Sequence, residues 1–153
     1  MGRLSERLKP FTSIGLDTSI FIYHFEEHPA FLPLTRELLS GIETGQWEGI
    51  TSTITLMELM VLPLKLERGG VARNYEALLV HFPHLRVVDI DRNVSRKAAQ
   101  IRAGFGIRPP DALQVAASLV HGARVFATND RGLVRLQSEI DIVILDDFVA
   151  QDG

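Results

Sequence analysis

Four carboxylates stand where solvation alone does not explain them. Asp17 directly follows Ser13-Ile14-Gly15-Leu16, a short apolar run of strand type. That puts it at the carboxyl end of a first strand, the edge at which open α/β sheets bind ligands. A plainer explanation is that it caps a helix beginning near Thr18-Ser19. Glu58 sits in Ile54-Thr55-Leu56-Met57-Glu58-Leu59-Met60-Val61-Leu62, a helix apolar nearly all round and so expected to be buried. Its plainer explanation is a capping box with Thr55. Asp111 follows Pro109-Pro110 in the first turn of another apolar helix, where dipole compensation alone would favour an acid. Asp130 ends Val125-Phe126-Ala127-Thr128-Asn129-Asp130, again just past a strand, where Asn-Asp is also ordinary turn chemistry.

Taken one at a time, each acid is open to both explanations; together they point further. Two acids at one sheet edge and two on helices converge stably only around a cation, because unpaired carboxylates repel. The chain has no cysteine, and His24, His28, His81, His84 and His121 show no metal-binding pairing. Hard oxygen ligands alone suit Mg²⁺ or Mn²⁺ better than zinc. The substrate that suits such a site is a phosphodiester, whose hydrolysis a metal assists by activating water and stabilising charge on the leaving oxygen.

The elements that must position these acids alternate along the chain. Strands are expected at Ser13–Leu16, Gly49–Thr51, Leu85–Val88, Val125–Ala127 and Ile142–Leu145, each short and followed by a polar or turn residue. Helices are expected over Pro33–Ile42, Ile54–Leu66 (stopped by Gly69-Gly70), Val71–His81, Asn93–Arg102 and Asp111–Val120. This alternation predicts an α/β fold, three layers α/β/α around a central parallel sheet of about five strands. At 153 residues and 17.0 kDa the chain is one domain, read as residues 13–147 with an N-terminal extension, 1–12, and a C-terminal tail, 148–153.

Other chemistries lack their parts. Gly104-Phe105-Gly106 is followed by Pro109 where a dinucleotide fingerprint needs its third glycine, and no phosphate-loop or Gly-x-Ser-x-Gly sequence occurs. Without cysteine, a disulfide scaffold and a cysteine nucleophile are excluded. No apolar run reaches membrane-spanning length and no signal peptide completes itself before Asp17, so the chain is read as cytoplasmic. Net charge is −3, but residues 61–110 carry nine basic and four acidic side chains. A basic middle third beside an acidic cleft suits a polyanionic substrate.

Four blocks carry a resemblance: Leu16-Asp17-Thr18-Ser19-Ile20-Phe21-Ile22-Tyr23, Ser52-Thr53-Ile54-Thr55-Leu56-Met57-Glu58, Pro110-Asp111-Ala112-Leu113-Gln114-Val115-Ala116-Ala117 and Thr128-Asn129-Asp130-Arg131. In this order the chain resembles the PIN-domain ribonucleases over about residues 13–147, and among them the VapC-like toxins. The resemblance implies metal-dependent endoribonuclease activity with Mg²⁺ or Mn²⁺. Asp17, Glu58, Asp111 and Asp130 fall on the family's acidic positions, and Thr128 and Asn129 on its polar pair. Asp17, Asp111 and Asp130 are expected to supply most metal ligands, with Glu58 on a second ion or the attacking water. Ser19, Thr128 and Asn129 are expected to hydrogen-bond the acids or a metal-bound water. Arg68, Arg73, Arg92, Arg96, Arg102 and Arg108 are the candidates for RNA phosphates. Expected partners are an RNA substrate, an antitoxin and a second copy of the chain, with no membrane. One departure is that many relatives carry an acid and an aromatic just after the last acid, where this chain has Arg131-Gly132-Leu133.

Two other classes compete. A haloacid-dehalogenase-type phosphatase would need its second Asp at position 19, which is Ser19, and a receiver domain a late lysine, where the only lysines are Lys9, Lys65 and Lys97. The remaining alternative is a non-catalytic PIN-fold module that binds RNA or protein.

Overall fold

A computed structural model describes residues 2–149. Five short strands, β1 (Ser13–Leu16), β2 (Glu48–Ser52), β3 (Leu85–Val88), β4 (Val125–Thr128) and β5 (Asp141–Ile144), form one sheet in the order β3-β2-β1-β4-β5. All neighbours pair in parallel, with Gly15 beside Ile50 on one side and beside Phe126 on the other. The chain therefore builds outward from β1 in one direction, then returns and builds outward in the other. The gap between the carboxyl ends of β1 and β4 is the topological switch point, where open α/β sheets hold their ligands. The expected three-layer α/β fold with a five-stranded parallel sheet is present.

Among the described residues, seven α-helices cover the sheet: α1 (Arg3–Leu8), α2 (Thr18–Phe25), α3 (Leu32–Glu43), α4 (Thr53–Lys65), α5 (Gly69–Val80), α6 (Arg92–Phe105) and α7 (Pro109–Val120). Short 3-10 turns follow β4 at Arg131–Leu136 and β5 at Leu145–Phe148. One core, including Ile14, Leu16, Phe21, Leu38 and Ile42, lies under α1, α2 and α3. The other, including Ile50, Val94, Ile101, Val115 and Phe126, lies under α6 and α7. α7 crosses close over β1 because Gly15 has no Cβ; a methyl there would collide with Ser118 and Phe126.

Three expectations are corrected. The residues read as an extension, 1–12, contain α1, which buries Leu4 and Leu8 in the first core. Arg7 pairs with Asp141 on β5 at 2.6 Å, and the Glu37 carboxylate of α3 accepts from the Ser5 backbone N–H at 3.1 Å. Six residues are too few for a periodic signal, so packing rather than propensity makes this helix. At the other end, Phe148 and Val149 of the expected tail pack partly against the same core, while residues 150–153 lie outside those described. Lastly, Gly69-Gly70 do not merely stop a helix; they open α5.

Candidate active site

Asp17 sits immediately after β1, and its backbone N–H still reaches Ala127 on β4 at 3.0 Å, so the sheet itself fixes its position. One carboxylate oxygen, Oδ1, accepts from the Thr18 N–H at 2.9 Å and caps α2. Oδ2 accepts from the Thr128 hydroxyl at 2.7 Å. Capping and edge placement are thus two uses of one side chain. Burial pushes the Asp17 carboxyl up from 3.8 to about 6; the hydrogen bonds from Thr128 and Thr18 oppose this, and the charges of Asp111 and Glu58 add to it. Asp111 and Glu58 therefore each lie within electrostatic reach of Asp17, although the three come from different elements.

Glu58 does not form the capping box with Thr55 that would be its plainer explanation. The N-cap of α4 is Ser52, whose hydroxyl accepts from the Ile54 N–H at 3.1 Å. Thr55 is drawn into the core, and Glu58 Oε1 accepts from the Thr18 hydroxyl at 2.8 Å. Nor is α4 the buried helix that its composition suggests. It buries Thr55, Leu59 and Pro63, while Glu58 is exposed and Met57, Val61, Leu62, Leu64 and Leu66 are each about half exposed. An apolar helix at the rim of a layer has only one covered face, and hydropathy does not tell that face from the other.

Asp111, its side chain 18% exposed, projects from the first turn of α7 and accepts from Arg108 Nε at 3.2 Å. Asp130 is exposed and opens the turn after β4, its Oδ1 accepting from the Gly132 N–H at 2.9 Å. Its own N–H donates to Thr128 Oγ1 at 3.1 Å, so a single hydroxyl ties Asp130 to Asp17. Asp111 and Asp130 face one cleft together with Arg108 and Arg135.

The other candidates separate. Thr128 touches an acid; Ser19 and Asn129 do not. Ser19 Oγ is buried without a hydrogen-bond partner among the described residues. Asn129 ties the end of β4 to Tyr23 (3.2 Å) and accepts from the Asp146 N–H (3.0 Å). Among the arginines, Arg108 lies on Asp111 and Arg68 lines a groove with Glu58. Arg73 faces a separate depression with Glu76 and His81. Arg96 donates to Asn93, Arg102 to the Ile107 carbonyl, and Arg92 opens α6 exposed. Arg135 was not among the candidates because it lies outside the basic third of the chain. It is held at the acid cleft by the Gly132 and Phe105 carbonyls. The sequence marks Thr55 only as a cap partner and Thr18 only as a helix start, and gives Gln114 no role, because neutral residues inside apolar helices carry no signal of their shared contacts.

The PIN domain family matches residues 14–139. The chain belongs to the PIN domain family. Among solved structures, this PIN domain is similar to a toxin-antitoxin complex from Klebsiella pneumoniae, with 20% identity, TM-score 0.63 and coverage of 87% of this chain and 97% of that one. It is likewise similar to VapBC2 from Rickettsia felis bound to a promoter DNA fragment, with 19% identity, TM-score 0.66 and coverage of 86% and 98%. A third such structure is FitAcB from Neisseria gonorrhoeae, with 21% identity, TM-score 0.64 and coverage of 87% and 97%. These likenesses are of fold. A comparison with curated proteins finds no match.

Among the described residues, no three His, Asp or Glu side chains form a ready-made metal cage. The donor set still fits Mg²⁺ or Mn²⁺. Mg²⁺ characteristically takes one or two carboxylates and completes its shell with waters and substrate phosphate. A desolvated Asp17 with two acidic neighbours offers it that start.

Proposed function

We propose that this PIN domain is a divalent-metal-dependent endoribonuclease acting as the toxin of a toxin-antitoxin pair. The observation that carries this reading is Asp17: a carboxylate at the switch point, pushed up to about 6 by burial, with Asp111 and Glu58 adding their charge. A group held at that disadvantage is characteristic of function rather than of stability. Asp17, Asp111, Asp130 and Glu58 would hold Mg²⁺ or Mn²⁺, which when bound makes water a competent nucleophile and stabilises charge on phosphodiester oxygens. Thr128 orients Asp17 and, through the Asp130 N–H, the start of the following turn. Arg108 and Arg135 flank the cleft as cations for the phosphate backbone, and Arg68 does so beside Glu58.

The toxin part of the reading is supported by a surface. Ile22 and Phe25 of α2, Leu59 and Leu62 of α4, and Val71 and Tyr75 of α5 line a groove that opens beside Glu58. Met57, Val61 and Leu64 are further exposed apolar residues of α4. An exposed apolar groove of this kind marks a protein interface, and the similar structures named above include toxin-antitoxin complexes. An antitoxin segment with an apolar face would cover this groove next to the acids. No helix among the described residues is long and apolar enough to cross a membrane.

The test is cleavage of end-labelled single-stranded RNA by the purified chain in Mg²⁺ or Mn²⁺, with chelator and with Asp17→Asn. Metal-dependent cleavage that Asp17→Asn abolishes supports the reading. Cleavage that persists unchanged in Asp17→Asn removes the metal site, and RNA binding without any cleavage supports the non-catalytic module.

A further inference from the structure

Beneath the acids lies a buried polar cluster drawn from four elements. It comprises Thr18 on α2, Thr51 and Ser52 at the end of β2, Thr55 on α4 and Gln114 on α7, all nearly without solvent exposure. Gln114 Nε2 approaches Thr18 Oγ1 at 2.9 Å and Thr55 Oγ1 at 2.6 Å. Ser52 Oγ lies 2.6 Å from Gln114 Oε1. Thr51 Oγ1 reaches the Leu16 carbonyl at 3.0 Å and Thr55 Oγ1 at 2.8 Å.

Hydrogen counting gives this cluster a direction. A carbonyl oxygen only accepts, so the single hydroxyl hydrogen of Thr51 is committed to Leu16. The Thr51–Thr55 contact must then be donated by Thr55, whose hydrogen is thereby used. Gln114 supplies one amide hydrogen to Thr55 and the other to Thr18, and Ser52 donates to the Gln114 carbonyl. The hydrogen left is that of Thr18, and its remaining acceptor outside the filled cluster is Glu58 Oε1 at 2.8 Å. The reverse orientation of the Gln114 amide would strand one of its own hydrogens and that of Ser52, which a buried cluster does not tolerate. The interior thus presents one oriented donor to one acid.

Resting on the metal-dependent reading above, we propose that Gln114 is a positioning residue of the metal site. Its amide fills the oxygens of Thr18 and Thr55, so the Thr18 hydroxyl points at Glu58 and holds that carboxylate for the divalent cation. Without the amide, Thr55 Oγ1, 2.9 Å from Thr18 Oγ1, competes for the same hydrogen. Glu58 is exposed on a rim helix, and Thr18 is its one side-chain hydrogen-bond donor among the described residues. Gln114 also follows Asp111 by one helical turn on α7, so the cluster joins the three helices that carry or follow Asp17, Glu58 and Asp111.

Mn²⁺ binding to the full chain, followed by loss of the free-ion electron paramagnetic resonance signal, tests this without reference to turnover. Gln114→Leu and the near-isosteric Thr18→Val should each weaken Mn²⁺ binding about tenfold or more, as loss of outer hydrogen-bond partners does elsewhere. Thr18→Ser, which keeps the hydroxyl, should stay within about threefold of wild type on the same expectation. In a Glu58→Gln background, Thr18→Val should add nothing, because the two act as one unit. If Gln114→Leu fails to fold by circular dichroism, the Thr18 variants decide. A wild-type chain that takes up no Mn²⁺ removes the metal reading and this proposal with it. Wild-type uptake matched by Thr18→Val, or a Thr18→Val loss undiminished in Glu58→Gln, overturns the positioning role alone.

Discussion

Asp17 caps α2 with one oxygen, takes the Thr128 hydroxyl on the other, and still sits well above the ordinary carboxyl value, at about 6 against 3.8. The folded chain therefore binds this proton more tightly than the unfolded chain. Stability from this group is full below the unfolded value, falls as pH rises from 3.8 to about 6, and stays at its lower level above. A displacement of this size corresponds to about 3 kcal/mol at most. Asp17→Asn, which keeps the shape and drops the charge, should thus abolish RNA cleavage and yet stabilise the metal-free protein at pH 7.5 by about 1–3 kcal/mol. That gain should fade toward pH 4. Urea unfolding in chelator at both pH values measures it, and a variant less stable than wild type at pH 7.5 would show that the Asp17 charge is not held at a cost. In the sequence Asp17, Asp111 and Asp130 stand out because each follows a strand or opens a helix, and Glu58 because it is a carboxylate in the middle of an apolar helix. Gln114 does not, because a neutral polar residue in an apolar helix declares nothing until its partners from α2 and α4 are seen around it.

At the scale of elements, the five strands were read within one or two residues at each end, since short apolar runs closed by polar residues have few other readings. What stayed hidden was packing. α1 is hidden in what reads as an N-terminal extension because two leucines in six residues carry no period, yet Leu8 is completely buried in the first core. Leu8→Ala should cost about 2–4 kcal/mol in urea unfolding, the usual cost of such a cavity, and leave Mn²⁺ affinity unchanged, because Leu8 neighbours Arg7, which pairs with Asp141 at the amino end of β5, whereas Asp17 and Asp130 follow the carboxyl ends of β1 and β4. A cost under about 0.5 kcal/mol would return residues 1–12 to the status of an extension. α4 erred in the opposite sense: its composition suggested full burial, whereas only one face is covered. Leu62→Lys on the exposed face should change stability by no more than about 0.5 kcal/mol. On the proposed toxin reading it should also prevent co-purification with a co-expressed antitoxin, measured by pull-down and size-exclusion chromatography. Unaltered capture would place the partner elsewhere, and a shift in the size of the chain alone would mark the same face as a contact between copies.

Over the whole molecule, a chain of net charge −3 sets Asp17 and Asp130 at the carboxyl edge of the sheet with Arg108 and Arg135 beside the cleft, and on the proposed reading substrate and metal would meet in the same field. For RNA, Arg108→Ala and Arg135→Ala should each lower the slope of log affinity against log salt by about 0.7, the value for one single-strand phosphate contact. Arg73→Ala, on its separate depression, should leave the slope alone. For metal, the argument runs through Asp17. A cation that binds the folded chain alone raises stability with its concentration, by about 1.4 kcal/mol at ten times its dissociation constant. At pH 7.5 Asp17 is ionised and ready. At pH 5, with its carboxyl near 6, the ion must displace a proton, and apparent affinity falls about tenfold. Millimolar Mg²⁺ or Mn²⁺ should therefore raise the melting temperature by about 2–5 °C at pH 7.5 and by much less at pH 5. Asp111→Asn should lose most of the rise at pH 7.5. Thermal melts with chelator as the blank test this; equal rises at the two pH values, or in wild type and Asp111→Asn, would mean that the cation acts away from the acids.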